Sequence, residues 1–190
     1  DGTDFCSVAS VTGTWMTFTD SVSIPGLGVF ENEDIVSYNA ARDMWSLIFD
    51  GSAVGLSGFT IDALARLADG SILLSFAEPG TVFGMSGGPS GATLDDSDIV
   101  RFVPTSLGSM TVGSFVFYFD GSDVGLGSDF EDIDALAVSA AGDLIVSTLG
   151  GNNVPGASGV DPDLLSFTPT GLGSVTAGPW AMYFDGSDAG

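Results

Sequence analysis

The chain has 190 residues, 44% of them hydrophobic, and carries 25 acids against three arginines (Arg42, Arg66 and Arg101), for a net charge of −22. Such a field argues against nucleic acid and anionic membrane surfaces as partners and favours cations. With no histidine and no lysine, Ser-His-Asp, Cys-His, histidine–metal and Schiff-base sites are all excluded.

In chain order, Phe5-Cys6-Ser7-Val8-Ala9-Ser10-Val11 and Gly13-Thr14-Trp15-Met16-Thr17-Phe18 read as two short strands. Cys6 is the only cysteine, so no internal disulfide forms; it reads as a small buried apolar residue or as a bond between chains. Asp34-Ile35-Val36-Ser37-Tyr38 opens a segment that recurs as Asp98-Ile99-Val100-Arg101-Phe102 and Asp163-Leu164-Leu165-Ser166-Phe167. Val100 and Phe102 alternate with Arg101, which is the period of a strand with one buried face. Phe-Asp-Gly-Ser follows each of these segments, at Phe49–Ser52, Phe119–Ser122 and Phe184–Ser187. The run before the second, Phe115-Val116-Phe117-Tyr118, is apolar throughout and predicts an interior strand. Ile61-Asp62-Ala63-Leu64 recurs as Ile133-Asp134-Ala135-Leu136, and Gly70–Ser75 recurs as Gly142–Ser147. Gly-, Ser- and Pro-rich stretches at 78–96 and 150–162 read as loops. No window holds a 3.6-residue apolar period, and no apolar run approaches the ~18 residues of a membrane helix.

The recurrence defines a repeat protein. Each unit has an Asp-led strand, a strand ending in Phe-Asp-Gly-Ser, an Ile-Asp-Ala-Leu strand and a Gly-led strand. The expected fold is all-β, a single repeat domain with three four-stranded antiparallel units, propeller-blade-like or prism-like. Two units are whole, at 34–97 and 98–162. One is split between the termini: 1–33 supplies its third and fourth strands plus a loop, and 163–190 its first and second. A split unit leaves strand edges to be completed. Phe5, Val8, Trp15, Met16 and Phe18 are therefore expected to complete the unit left open at Tyr183 and Phe184, in a neighbouring molecule. Three units are few for a closed ring, since propellers carry about four to eight blades. A larger ring of several chains, a three-sheet prism and an open stack all remain.

For chemistry, only carboxylates are left, and no pair stands out as a glycosidase pair would; the chain reads as no enzyme and as needing no cofactor. Asp120, Ser122, Asp123, Asp132 and Asp134 offer the hard oxygen ligands that Ca2+ takes, without an EF-hand pattern. The same residues serve equally as turn acceptors for backbone N–H groups. Trp15, Trp45 and Trp180 suit either core packing or stacking on glycans.

The stretches Asp163–Thr170, Leu172-Gly173 with Thr176-Ala177-Gly178, Trp180, and Tyr183–Asp188 resemble repeats in long, uncharacterised secreted or surface proteins of environmental bacteria. The resemblance covers nearly the whole chain, most clearly 98–187. It implies an extracellular or cell-surface location and a repetitive, structural or adhesive role. The expected function is a structural protein that polymerises with itself, head to tail, into a surface fibre by β-strand complementation. A secreted carbohydrate-binding or calcium-dependent adhesion module is the alternative.

Overall fold

The computed structural model describes residues 13–128 and 130–189. Phe5, Cys6 and Val8 lie outside these residues. Within them the fold is all-β: strands joined by turns, with three short 3-10 turns and no α-helix.

Eleven of the described strands form three antiparallel sheets. The first sheet pairs Thr14–Met16 with Ile35–Asn39, and Ile35–Asn39 with Met44–Phe49. The second runs Ile61–Arg66, Ile72–Phe76, Ile99–Ser106, Val112–Phe119, each strand bonded to the next. The third repeats this order as Ile133–Val138, Leu144–Thr148, Leu164–Phe167, Trp180–Phe184.

This corrects the grouping expected from the repeat. The bonded sheets begin on the Ile-Asp-Ala-Leu strand and end on Phe-Asp-Gly-Ser, half a unit out of step with 34–97 and 98–162. Among the described residues no sheet is split between the termini: Trp180–Phe184 is the fourth strand of a meander with Ile133–Val138, Leu144–Thr148 and Leu164–Phe167. Trp15 and Met16 are paired with Ser37 and Val36 of their own chain. The physical reason lies in the long loops. Each one folds into a small hairpin (Val22–Ile24 with Gly28–Phe30, Gly80–Thr81 with Thr93–Leu94, Asn152–Val154 with Ala157–Gly159) and returns the chain to the sheet it left. The Gly-led and Asp-led strands flanking the loop then pair with each other.

Strand alternation sends side chains to both faces, and both faces of the second sheet are buried. Ile72, Leu74, Val100 and Phe102 join Ile35 and Phe49 of the first sheet in one core. Leu73, Ile99 and Phe119 join Leu144, Leu165 and Phe167 of the third sheet in another. The remaining face of the first sheet, including Val36 and Trp45, is covered in part by Ile24 and Phe30 of its hairpin. The Ile61–Arg66 and Ile133–Val138 strands run close together across the second seam.

Candidate functional site

Each seam between sheets is built around one phenylalanine. Phe49 of the first sheet stands edge-on to Phe102 of the second, with centroids 5.0 Å apart and planes at 80°. Phe119 of the second stands edge-on to Phe167 of the third, at 5.2 Å and 81°. Edge-to-face packing matches the positive ring edge to the negative face. The receiving ring always belongs to an aromatic pair: Phe102 with Phe115 at 5.0 Å, and Phe167 with Trp180 at 4.8 Å. Trp180 also donates Nε1–H to Val124 O across its seam, 3.0 Å, so it is a core residue.

Hydrogen bonds close the same seams. Gly108 N donates to Ile48 O and Gly173 N to Tyr118 O, both at 2.7 Å. Thr111 Oγ accepts from Asp50 N at 2.9 Å and donates to Gly108 O at 2.6 Å. Thr176 Oγ accepts from Asp120 N and donates to Gly173 O, each at 2.9 Å. The loop between the Asp-led and Phe-Asp-Gly-Ser strands of one sheet thus grips the preceding sheet.

In the tetrapeptide, Phe49 and Phe119 are the seam knobs. Asp accepts from the Ser hydroxyl two residues on, at 2.7 Å in all three copies (Ser52 to Asp50, Ser122 to Asp120, Ser187 to Asp185). Gly is required because a β-carbon at Gly51, Gly121 or Gly186 would run into the carbonyl oxygen of Glu33, Ser97 or Pro162. Its N–H donates to the Asp that precedes the Asp-led strand: Gly51 to Asp34 at 3.0 Å, Gly121 to Asp98 at 3.1 Å, Gly186 to Asp163 at 3.0 Å.

Of the expected ligand set, Asp120, Ser122 and Asp123 come together in one turn. There Asp120 Oδ1 accepts from Ser122 Oγ and from Asp123 N (3.4 Å), and Asp123 Oδ2 accepts from Thr176 N at 2.8 Å. Asp132 and Asp134 do not join them: Asp134 accepts from Ser147 Oγ at 2.5 Å, and Asp132 lies in the seam. Among the described residues no group of three or more acids or cysteines is placed to hold a metal ion. A recess of about 310 Å3 beside the Asp120 turn is lined by Asp95, Asp98, Asp120, Ser122 and two prolines. Burial pushes Asp98 there up to about 6, against the backbone N–H groups of Asp95 and Gly121 that favour its charge. Of the expected assembly residues, Trp15 faces the first seam, where the Arg66 guanidinium lies 5.2 Å from its ring centre. Met16 and Phe18 pack on the outer face of the first sheet. Tyr183 and Phe184 are exposed.

One constellation escaped the sequence reading. Asp62 and Asp132 are brought against each other across the second seam, with both oxygens of Asp62 and Oδ1 of Asp132 buried. Desolvation, then the charge of Asp132, pushes the Asp62 carboxyl up to about 8. Burial raises Asp132 as well, while the proton held on Asp62 is donated to it. Burial and the mutual repulsion of the two carboxylates thus both favour a proton on the pair. The legible signal was a break in the repeat: Thr60 stands where Asp132 does.

No protein-family model, no curated protein and no solved structure matches the chain.

Proposed function

We propose that this is an extracellular structural protein of the repeat type described above, which self-assembles head to tail at a cell surface. Its sheets are stacked like propeller blades, and assembly continues that stack from one copy to the next. One observation carries the reading. Phe49 and Phe119 are 0% exposed under the next sheet, whereas their counterpart Phe184 is 47% exposed and its neighbour Tyr183 62%. A large aromatic knob left open, on a face that the same chain twice covers with a like sheet, favours a further like sheet as its cover. Stacking of sheet faces is favoured as the mode of assembly over strand donation by Trp15 and Met16, which pair with Ser37 and Val36 of their own chain. Such a contact joins unlike surfaces, so it builds a fibre unless the rotation per copy closes a ring. The absence of nucleophile–base and histidine chemistry from the sequence is in keeping with a structural role.

Sedimentation velocity over a concentration series, with electron microscopy of the heaviest fraction, tests this. Species growing with concentration into fibres are expected. A monomer at every concentration and ionic strength overturns the reading.

The alternative is a calcium-dependent adhesion or glycan-binding module, favoured by the acidic recess at Asp95, Asp98 and Asp120. Its calcium-dependent form requires calcium to raise the melting temperature, since a ligand of the folded state alone stabilises that state. An unchanged melting temperature at millimolar-range calcium removes it.

A further inference from the structure

We propose that Asp62 and Asp132 hold a divalent cation of the calcium class between the second and third sheets. The proposal does not depend on self-assembly, and the place is separate from the recess beside Asp120.

The strands dictate how the two side chains meet. Ile61 pairs with Phe76 and Ala63 with Ser75, so Asp62 is the extra residue of a β-bulge. A bulge re-aims the side chain it carries. The next sheet repeats the device: Ile133 pairs with Thr148 and Ala135 with Ser147, which leaves Asp134 as the extra residue. Asp132 stands just before that strand, and its main chain is fixed by Leu149 N, which donates to Asp132 O at 2.9 Å. The two strands run close together across the seam and bring Asp62 to face Asp132.

Burial makes this meeting costly. Asp132 is 5% exposed. Its Oδ1 is buried with no N–H or O–H donor besides the Asp62 carboxyl that it faces. Thr60, the counterpart of Asp132 one unit earlier, gives the comparison. Its hydroxyl accepts from Asn32 Nδ2 at 2.7 Å and donates to Glu78 Oε1 at 3.2 Å. Donor meets acceptor there, whereas at Asp132 a carboxyl faces a carboxyl. Buried charges persist where they are paired or coordinate a metal.

No side chain at hand supplies the positive charge. The other groups facing the pair, Glu78 and Asp134, are acids too. Arg66 closes the far end of the strand that Asp62 opens, Arg101 is bound to Asp69 in the turn beyond it, and Arg42 lies in the Asn39–Met44 turn of the first sheet. Glu78 is exposed and Asp134 half-buried, so the negative field reaches solvent and draws cations inward. Two carboxylates suit Ca2+ because each can bind through both oxygens, with main-chain oxygens and water completing a flexible shell of about six to eight. Mg2+ demands a near-octahedral shell and gives up its water reluctantly, which a buried pair penalises. The bound ion replaces the proton that the pair otherwise favours and ties the second sheet to the third.

Calorimetric titration of Ca2+ into chelator-treated protein tests this, with melting temperature as the second readout. A single site is expected, with Kd of about 0.1–1 mM, and the melting temperature should climb with free Ca2+. Asp62→Asn and Asp132→Asn each keep the shape and remove one ligand charge. With their fold confirmed by far-ultraviolet circular dichroism, each should weaken binding by roughly tenfold or more, since loss of an outer partner alone costs that much. Asp95→Asn, on the wall of the recess beside Asp120, should leave binding unchanged. Mg2+ at the same concentration measures plain screening of the net charge. Absence of binding in the wild type, a response that Asp62→Asn and Asp132→Asn retain, or an equal response to Mg2+ overturns the proposal. Loss of binding with Asp95→Asn alone overturns it as well and places the ion in the recess.

Discussion

Phe119 meets Phe167 edge-on across the seam between the second and third sheets, and neither ring is exposed to solvent. Truncating such a ring loses its transfer energy and leaves a cavity. Phe119→Ala should destabilise the monomer by about 3–5 kcal/mol in urea titration. Phe184→Ala, at the equivalent position without a covering sheet, should change the same quantity by less than about 0.5 kcal/mol in dilute protein. Similar losses for both would mean that Phe184 is buried in solution.

Gly121 takes ordinary helical-region dihedrals, φ −64° and ψ −35°, so its identity is not a matter of backbone freedom. What forbids a side chain is the approach of Ser97 O and the Ser97 side chain. Gly121→Ala should cost about 1–3 kcal/mol by overpacking. Gly127 faces open space, and Gly127→Ala should be neutral or stabilise by up to about 1 kcal/mol through the unfolded state. Thermal melts of the two variants give the comparison directly.

Thr176 bridges the second seam, accepting from Asp120 N while donating to Gly173 O. Thr176→Val keeps the shape and removes both bonds. A buried N–H left without an acceptor costs about 1–3 kcal/mol. Amide exchange of Asp120 should accelerate correspondingly; an unchanged rate would show that another acceptor replaces the hydroxyl.

The strands and the turn chemistry were legible in the sequence because they are local. Alternation in Val100–Phe102 and the Asp-Gly-Ser turns need only neighbours a few residues away. The period of the repeat was legible too, but not its phase. A periodic string matches itself from any starting point, and only hydrogen bonding decides that Leu74 pairs with Val100 across the 78–96 loop. The Asp62–Asp132 pair was hidden for a similar reason. Its members come from successive sheets, whereas nearness in sequence groups Asp132 with Asp120.

That pair gives the chain a pH dependence of defined sign. Asp62 holds its proton in the folded state up to about 8, while an unfolded aspartate loses it near about 3.9. Between these values the folded state binds more protons, so stability falls as pH rises, by at most about 1.4 kcal/mol per pH unit, and levels off above. The groups facing the pair are themselves acids, Glu78 and Asp134, and no arginine offsets them there. Burial also raises Asp98, Asp34 and Glu33, which add to the fall at lower pH, whereas Asp69 is shifted the other way by its bonds with Ser71 and acts only at the acid end. Asp62→Asn isolates the pair: the amide donates to Asp132 without titrating. Relative to wild type the variant should be near-neutral at about pH 4 and more stable above pH 8, with an advantage of roughly 1–3 kcal/mol. Urea titrations of both proteins across this range measure the difference. Parallel curves would show that Asp62 is ionised throughout, its charge met by something other than a proton.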